Sequence, residues 1–191
     1  MLILLHMDIW ALNLRHLHAM AAIARLGSVT AAAQAISITQ PAITQALAKL
    51  ESQLDHQLFD RRPDGMTPLP AAILFAPRVE AALAHIASRR VTMAGLRAMI
   101  ALADAGSYAE ASDATGLTQP SLHRAVRDLS LALKRSLVER RGKGIALTEQ
   151  GRKTARAFRL ARAELEAGLS ELGTLSGRET GRIVIGAMPL C

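Results

Sequence analysis

Histidine, cysteine and glycine-rich loops are the residue types that most often carry catalysis or hold a metal, and here their spacing argues against both. His16 and His18 are two apart and project from different sides of a helix, while His6, His56 and His85 stand at no metal-ligand spacing from carboxylates or thiols. The single cysteine, Cys191, is the last residue and has no base motif beside it, so it makes no intramolecular disulfide, no multi-thiolate site and a poor nucleophile. Gly142-Lys143-Gly144 lacks the rest of a phosphate loop and reads as a turn. No catalytic residue, metal or cofactor is expected, and an enzyme would need a site in a further carboxy-terminal part. The polar groups whose spacing does repeat are Gln, Thr and Arg. Gln40, Thr44, Gln45 and Ala48 share one face of a helical stretch, and Gln119, His123, Arg124 and Arg127 share the corresponding face of another. Hydrogen-bonding amides with fixed positive charges suit a polar, anionic partner.

The whole chain has the same bias. Its 191 residues carry 23 Lys+Arg against 16 Asp+Glu, a formal charge of +7, which fits nucleic acid. Half of the residues are apolar but only 3% are aromatic, so a core must be built from Leu, Ile, Val, Met and Ala, a composition that favours helices. One cysteine fits a reducing, cytoplasmic setting. The apolar opening Met1-Leu2-Ile3-Leu4-Leu5 lacks a basic leader and is far short of the roughly 20 residues that span a bilayer, so neither a signal peptide nor a membrane partner is expected. It is either a short packed arm or an over-long translation start ahead of Met7.

The elements that must position those polar faces come in duplicate. A shift of 79 residues places Gly27-Ser28 on Gly106-Ser107 and Thr39-Gln40-Pro41 on Thr118-Gln119-Pro120. The same ungapped register aligns Leu17 with Leu96, Leu50 with Leu129, Leu58 with Leu137, Arg61-Arg62 with Arg140-Arg141 and Gly65 with Gly144. In the first copy Asn13 caps a helix over residues 14–26 that Gly27 stops, Ser28 caps a short Ala-rich helix over 29–36, and Thr39 caps a third helix with Pro41 in its first turn. Ile43, Leu47, Leu50 and Leu54 make the buried stripe of that third helix, and Leu122, Val126, Leu129 and Leu133 repeat it. Two short strands joined by a turn follow each third helix, then a long helical stretch over residues 69–88 and again over 149–172, the first with Pro77 expected to kink it or interrupt its first turn. The long stretches have nothing in their own copy to cover them, so they pack against each other within the chain or against a second chain.

Gly27-Ser28, the Ala31-Ala32-Ala33 run, Thr39-Gln40-Pro41-Ala42-Ile43-Thr44, Leu50-Glu51, Leu58-Phe59 and Arg61-Arg62 stand in an order that resembles the LysR-type transcriptional regulators. The resemblance implies a mainly α fold: two tandem winged helix-turn-helix domains, each followed by a long linker helix. The expected layout is an arm over 1–12, winged helix domains over 13–68 and 91–148, and linker helices over 69–90 and 149–173. Residues 174–191 would be a hinge and, over 181–187, the first strand of an effector-binding domain of which the rest is missing. The chain is accordingly read as a piece of a longer regulator, and a small-molecule effector is expected only if that longer chain carries the domain. The second copy diverges more, with Ser121, Ser130 and Val138 where the pattern has alanine, glutamate and phenylalanine.

The resemblance further implies double-stranded DNA as partner. Glutamine can pair bidentately with adenine and arginine with guanine in the major groove. Ser28, Thr39, Gln40, Pro41, Thr44 and Gln45 would approach bases and nearby phosphates, as would Thr118, Gln119, Pro120, His123, Arg124 and Arg127 in the second copy. Arg61, Arg62, Arg140, Arg141 and Lys143 on the wings would neutralise phosphates. Residues 1–90 carry a net +2 and residues 91–191 a net +5, so the second copy is expected to supply more of the salt-dependent binding. Linker helices that pair within the chain would make a pseudo-dimer facing two half-sites; a homodimer with swapped linker helices is the rival. The alternative function is an assembly module in which one copy, the second, no longer reads DNA.

Overall fold

A computed structural model describes residues 8–63, 65–142 and 144–180. The first copy comprises α1 (Leu14–Leu26), α2 (Val29–Ile36), α3 (Gln40–Leu54), the hairpin β1 (Phe59–Arg62) and β2 (Gly65–Pro68), and α4 (Pro70–Ile86). The second comprises α5 (Met93–Ala105), α6 (Tyr108–Thr115), α7 (Gln119–Leu133), the hairpin β3 (Val138–Arg141) and β4 (Gly144–Leu147), and α8 (Glu149–Thr180). Every boundary from α1 to β2 reappears in the second copy at the 79-residue shift, so the duplication seen in the sequence is one of structure. The fold is mainly α, with two antiparallel two-stranded wings.

Local chemistry sets these boundaries. Asn13 Oδ1 accepts from Arg15 N at 2.9 Å, Ser28 Oγ from Ala31 N at 3.3 Å and Thr39 Oγ1 from Ala42 N at 3.3 Å; Thr92, Ser107 and Thr118 cap α5, α6 and α7 in the same way. Gly27 and Gly106 end α1 and α5 in the left-handed conformation, at φ 64° and 83°. Between α2 and α3 the same conformation falls on Ser37, whereas the second copy has Gly116 there. Pro77 lies on the exposed side of α4 and does not interrupt it. The second long helix runs to Thr180, so residues 174–180 continue α8 and are not a hinge: Gly173 lies within the helix and does not take the left-handed conformation that ends one. The strand expected over 181–187 and the first seven residues lie outside the described residues.

One core joins the two copies. Leu17, Met20, Ile23, Ile43 and Leu50 of the first and Leu96, Met99, Leu129 and Leu137 of the second belong to a single cluster with Phe75, Val79, Phe158, Ala161 and Leu165 of the long helices. Ala98, Leu102, Tyr108, Ala111, Leu122 and Val126 form a smaller cluster under α7. The contact between α4 and α8 is the most extensive in the molecule. At its centre a Cβ on Gly168 would stand 2.8 Å from the Phe75 ring, so the helices approach where a side chain is absent. Arg78 reaches from α4 to α8, where it meets Glu164 at 3.0 Å and Glu171 at 2.6 Å; these two carboxylates raise the guanidinium pKa above its usual range.

The described part of the amino-terminal arm, residues 8–12, packs onto the second copy. Residues Ile9–Ala11 make one 3-10 turn capped by Asp8, with Ile9 and Leu12 buried. The Trp10 ring lies between the guanidiniums of Arg97 on α5 and Arg162 on α8, at 5.6 and 5.8 Å.

Candidate nucleic-acid interface

The third helix of each copy separates its residues cleanly by face. In α3, Ile43, Leu47 and Leu50 are buried while Gln40, Pro41, Gln45 and Ala48 are exposed, with Thr44 half-buried at the margin. In α7, Leu122, Val126 and Leu129 are buried while Gln119, Pro120, His123, Arg124 and Arg127 are exposed. Neither Gln40 nor Arg124 is enclosed.

Several of the expected readers have a structural task as well. Ser28, Thr39 and Thr118 are the N-caps of α2, α3 and α7, so their hydroxyls are engaged by backbone N–H groups at the helix starts. Gln40 Nε2 donates to Thr30 Oγ1 at 2.9 Å, which ties the start of α3 to α2 and turns that amide away from free rotation. His123 does not stand free: its ring stacks on Tyr108 of α6, with centroids 3.6 Å apart and planes at 27°. One ring face is therefore committed, and burial raises the Tyr108 phenol pKa. Among the described residues Gln45, Arg124 and Arg127 carry no such tie to another element; Arg127 meets its neighbour Asp128 at 3.7 Å. His123, Arg124 and Arg127 line a cleft of about 590 Å³ that runs between α7 and the start of β3.

The wings carry Arg61, Arg62, Arg140 and Arg141, all exposed; Lys143 lies outside the described residues. Arg62 is paired with Asp60 at 3.0 Å. The two wings are held differently. Glu51 on α3 accepts from Leu58 N at 2.8 Å and Phe59 N at 3.3 Å, and Met66 N at the wing donates to Gly27 O at 2.8 Å. A Cβ on Gly65 would meet that same carbonyl at 2.5 Å, so the close approach requires glycine. In the second copy Ser130 replaces Glu51 and turns its hydroxyl to Val126 O, and Ile145 makes no bond to Gly106 O. The first wing is anchored at its root and at its tip; among the described residues the second has neither of these two bonds.

Glu51 is the site residue whose role the sequence did not disclose. Its place in the Leu50-Glu51 pair was visible, but a helix pattern says nothing of a carboxylate turned back to a strand. Gly151, whose Cβ would clash with Leu137 O, was missed for the same reason. Among the described residues no set of three His, Cys, Asp or Glu is grouped to hold a metal, and no helix is long and apolar enough to cross a membrane.

Two stretches of the chain, residues 14–72 and 93–152, each match the family described as bacterial regulatory helix-turn-helix protein, LysR family. The chain belongs to the LysR family. These stretches coincide with the two copies and together take in more than half of the sequence. Among named relatives, the HTH-type transcriptional regulator GalR of Pseudomonas putida is 27% identical over 96% of the chain and 49% of its own length, an alignment long enough to run through both copies. Nodulation protein D 2 of Sinorhizobium fredii is 43% identical over 39% of the chain and 24% of its own length. A transcriptional regulator of Azotobacter vinelandii is 36% identical over 49% of the chain and 65% of its own length. The chain thus spans about half of the first of these LysR-family relatives and a quarter of the second. GalR and the Azotobacter protein are named as transcriptional regulators and none of the three as an enzyme.

Proposed function

We propose that this LysR-family chain regulates transcription in the cytoplasm by binding double-stranded DNA through both heads, laying α3 and α7 in the major groove of two half-sites. The observation that carries this is the duplicated face itself. Two helices, each anchored by a buried aliphatic stripe, turn Gln45 on one and Arg124 and Arg127 on the other to solvent. Glutamine and arginine are the side chains suited to adenine and guanine edges, each bidentate pair giving roughly 1–3 kcal/mol of discrimination. Exposed arginines on both wings suit phosphates. Because the faces differ in type, the expected operator is non-palindromic: an A-preferring half-site under α3 and a G-preferring half-site under α7. Selection of bound sites from random duplexes tests this. Two unlike half-sites at fixed spacing support it, with Gln45→Ala and Arg124→Ala each relaxing one half-site; a single half-site, or none, contradicts it.

A second reading, in which the second copy serves assembly rather than DNA, is favoured by the stacked His123 and the unanchored second wing. Arg124→Ala/Arg127→Ala in the whole chain separates the two. Unchanged DNA affinity and site selection supports the assembly role, whereas a loss of the second half-site excludes it.

A further inference from the structure

The starts of α2 and α3 are joined by a bond that α6 and α7 lack. Gln40, the first residue of α3, donates from Nε2 to Oγ1 of Thr30, the second residue of α2, at 2.9 Å. Both residues are exposed. The 79-residue register places Gln119 and Ala109 at these positions in the second copy, so the amide is kept and the hydroxyl is missing. Packing does not need the bond: Ala32 and Ala33 of α2 and Ile43 and Leu47 of α3 already belong to the shared core, whereas an exposed hydrogen bond replaces one made with water. What the bond does settle is the direction of a carboxamide.

We infer that Thr30 is a positioning residue: its hydroxyl, engaged by a DNA phosphate, orients the Gln40 carboxamide so that the first turn of α3 selects adenine. The inference rests on the proposed function and deepens it, since Gln40 adds a base to the one read by Gln45. A glutamine side chain offers two N–H donors and one carbonyl oxygen, and a threonine hydroxyl donates once and accepts through its lone pairs. With one N–H engaged by Thr30, Gln40 keeps the other N–H and Oε1, a donor beside an acceptor. That pair complements N7 and the N6 amino group of adenine in the major groove. Half a turn of the amide exchanges its nitrogen and oxygen and sets an acceptor against N7. Thr30 holds that reversed amide only by donating its own O–H to Oε1. In a helix-turn-helix on DNA the first helix crosses the backbone while the start of the second meets base edges, which brings Thr30 to a phosphate and Gln40 to a base. A phosphate oxygen accepts and does not donate, so it takes the Thr30 proton and leaves Oγ1 to accept from Nε2. The two bonds then run in one direction and strengthen each other. Ala109 can do none of this, so Gln119 stays free to turn.

Selection of bound sites from random duplexes by the unmodified chain, by Thr30→Val and by Thr30→Ser tests this, with Gln40→Ala marking the base that Gln40 reads. Valine keeps the shape of threonine without its hydroxyl, and serine restores the hydroxyl. Expected in Thr30→Val are an adenine preference at that base weaker by about fivefold, the rest of the half-site unchanged, and recovery in Thr30→Ser. Side-chain amide signals in 1H–15N spectra of the DNA-free chain give a second reading: those of Gln40 should move in Thr30→Val and those of Gln119 in Ala109→Thr. A loss spread evenly over the half-site, no recovery with serine, or amide signals unmoved in either variant would overturn the inference. An unmodified chain that selects no half-site would overturn the proposed function with it, whereas an adenine preference that survives Thr30→Val would overturn this inference alone.

Discussion

At the scale of single residues, polar side chains that hold backbone fix the wings and helix ends. Glu51 takes two backbone donors at the root of the first wing. Glu51→Ala leaves both without this partner, at a cost of about 1–3 kcal/mol, and a fall in melting temperature of several degrees is expected; the Ser130→Ala change in the second copy, where no wing bond is lost, should move it far less. His16 and His18 supply a pH dependence of known sign. Burial lowers both pKa values first, with Lys49 adding to the effect at His16 and Arg89 at His18. The unfolded chain therefore takes up protons on these imidazoles before the folded one does. No stability is lost through them well above pH 6.5, and stability declines as pH falls through 6.5 until the folded histidines protonate too. Melting temperatures measured from pH 8 down to 5 should show that decline, and it should flatten in His16→Gln/His18→Gln; an equal slope in the variant would assign it elsewhere.

At the scale of elements, the sequence was most informative where caps and stripes act locally and least where a side chain crosses to another element. The boundaries of α1 and α2 follow from Asn13, Gly27 and Ser28, which act within a few residues of themselves, so they could be read in order. The aliphatic stripe of α3 likewise announced which side is hidden and hence which side Gln45 occupies. What covers a hidden side is a matter of partners distant in the chain. Arg78 with Glu164 and Glu171, His123 with Tyr108, and Trp10 between Arg97 and Arg162 leave no periodicity to find. The end of α8 was misjudged because Gly173 looks like a helix stop, while Leu175, one step further along the apolar stripe, still packs on the core and the helix continues. The wings supply a prediction at this level. If phosphate contact is the task of their arginines, Arg61→Ala/Arg62→Ala and Arg140→Ala/Arg141→Ala should each weaken DNA binding and reduce the salt slope, each lost contact lowering it by roughly one. The greater charge of the second half leads us to expect the larger loss from Arg140 and Arg141, although Arg62 is also partly neutralised by Asp60; a larger loss from the first pair would reverse that assignment.

At the scale of the whole molecule, α4 and α8 join the two copies within one chain. Their contact is built on Phe75, Gly168 and the Arg78 carboxylate pair, all within a single chain. Gly168→Leu should separate these helices, because the new side chain must enter space held by the Phe75 ring; a drop in melting temperature and a wider particle by small-angle scattering are expected. Phe75→Ala removes a side chain that is 0% exposed and should cost about 3–5 kcal/mol. Light scattering of the unmodified chain should return the mass of one 20.4 kDa polypeptide; twice that mass would mean that the long helices exchange between copies of the chain.

A regulator assembled from separate subunits must first meet its twin, so its effective amount on DNA falls faster than its total amount when expression drops. With both copies on one polypeptide and joined through Phe75 and Gly168, a chain that binds DNA as one particle, as proposed, would need no such meeting. If the proposed single-chain pairing holds, occupancy would track dosage in simple proportion, and a damaged allele could not poison a healthy one by pairing with it.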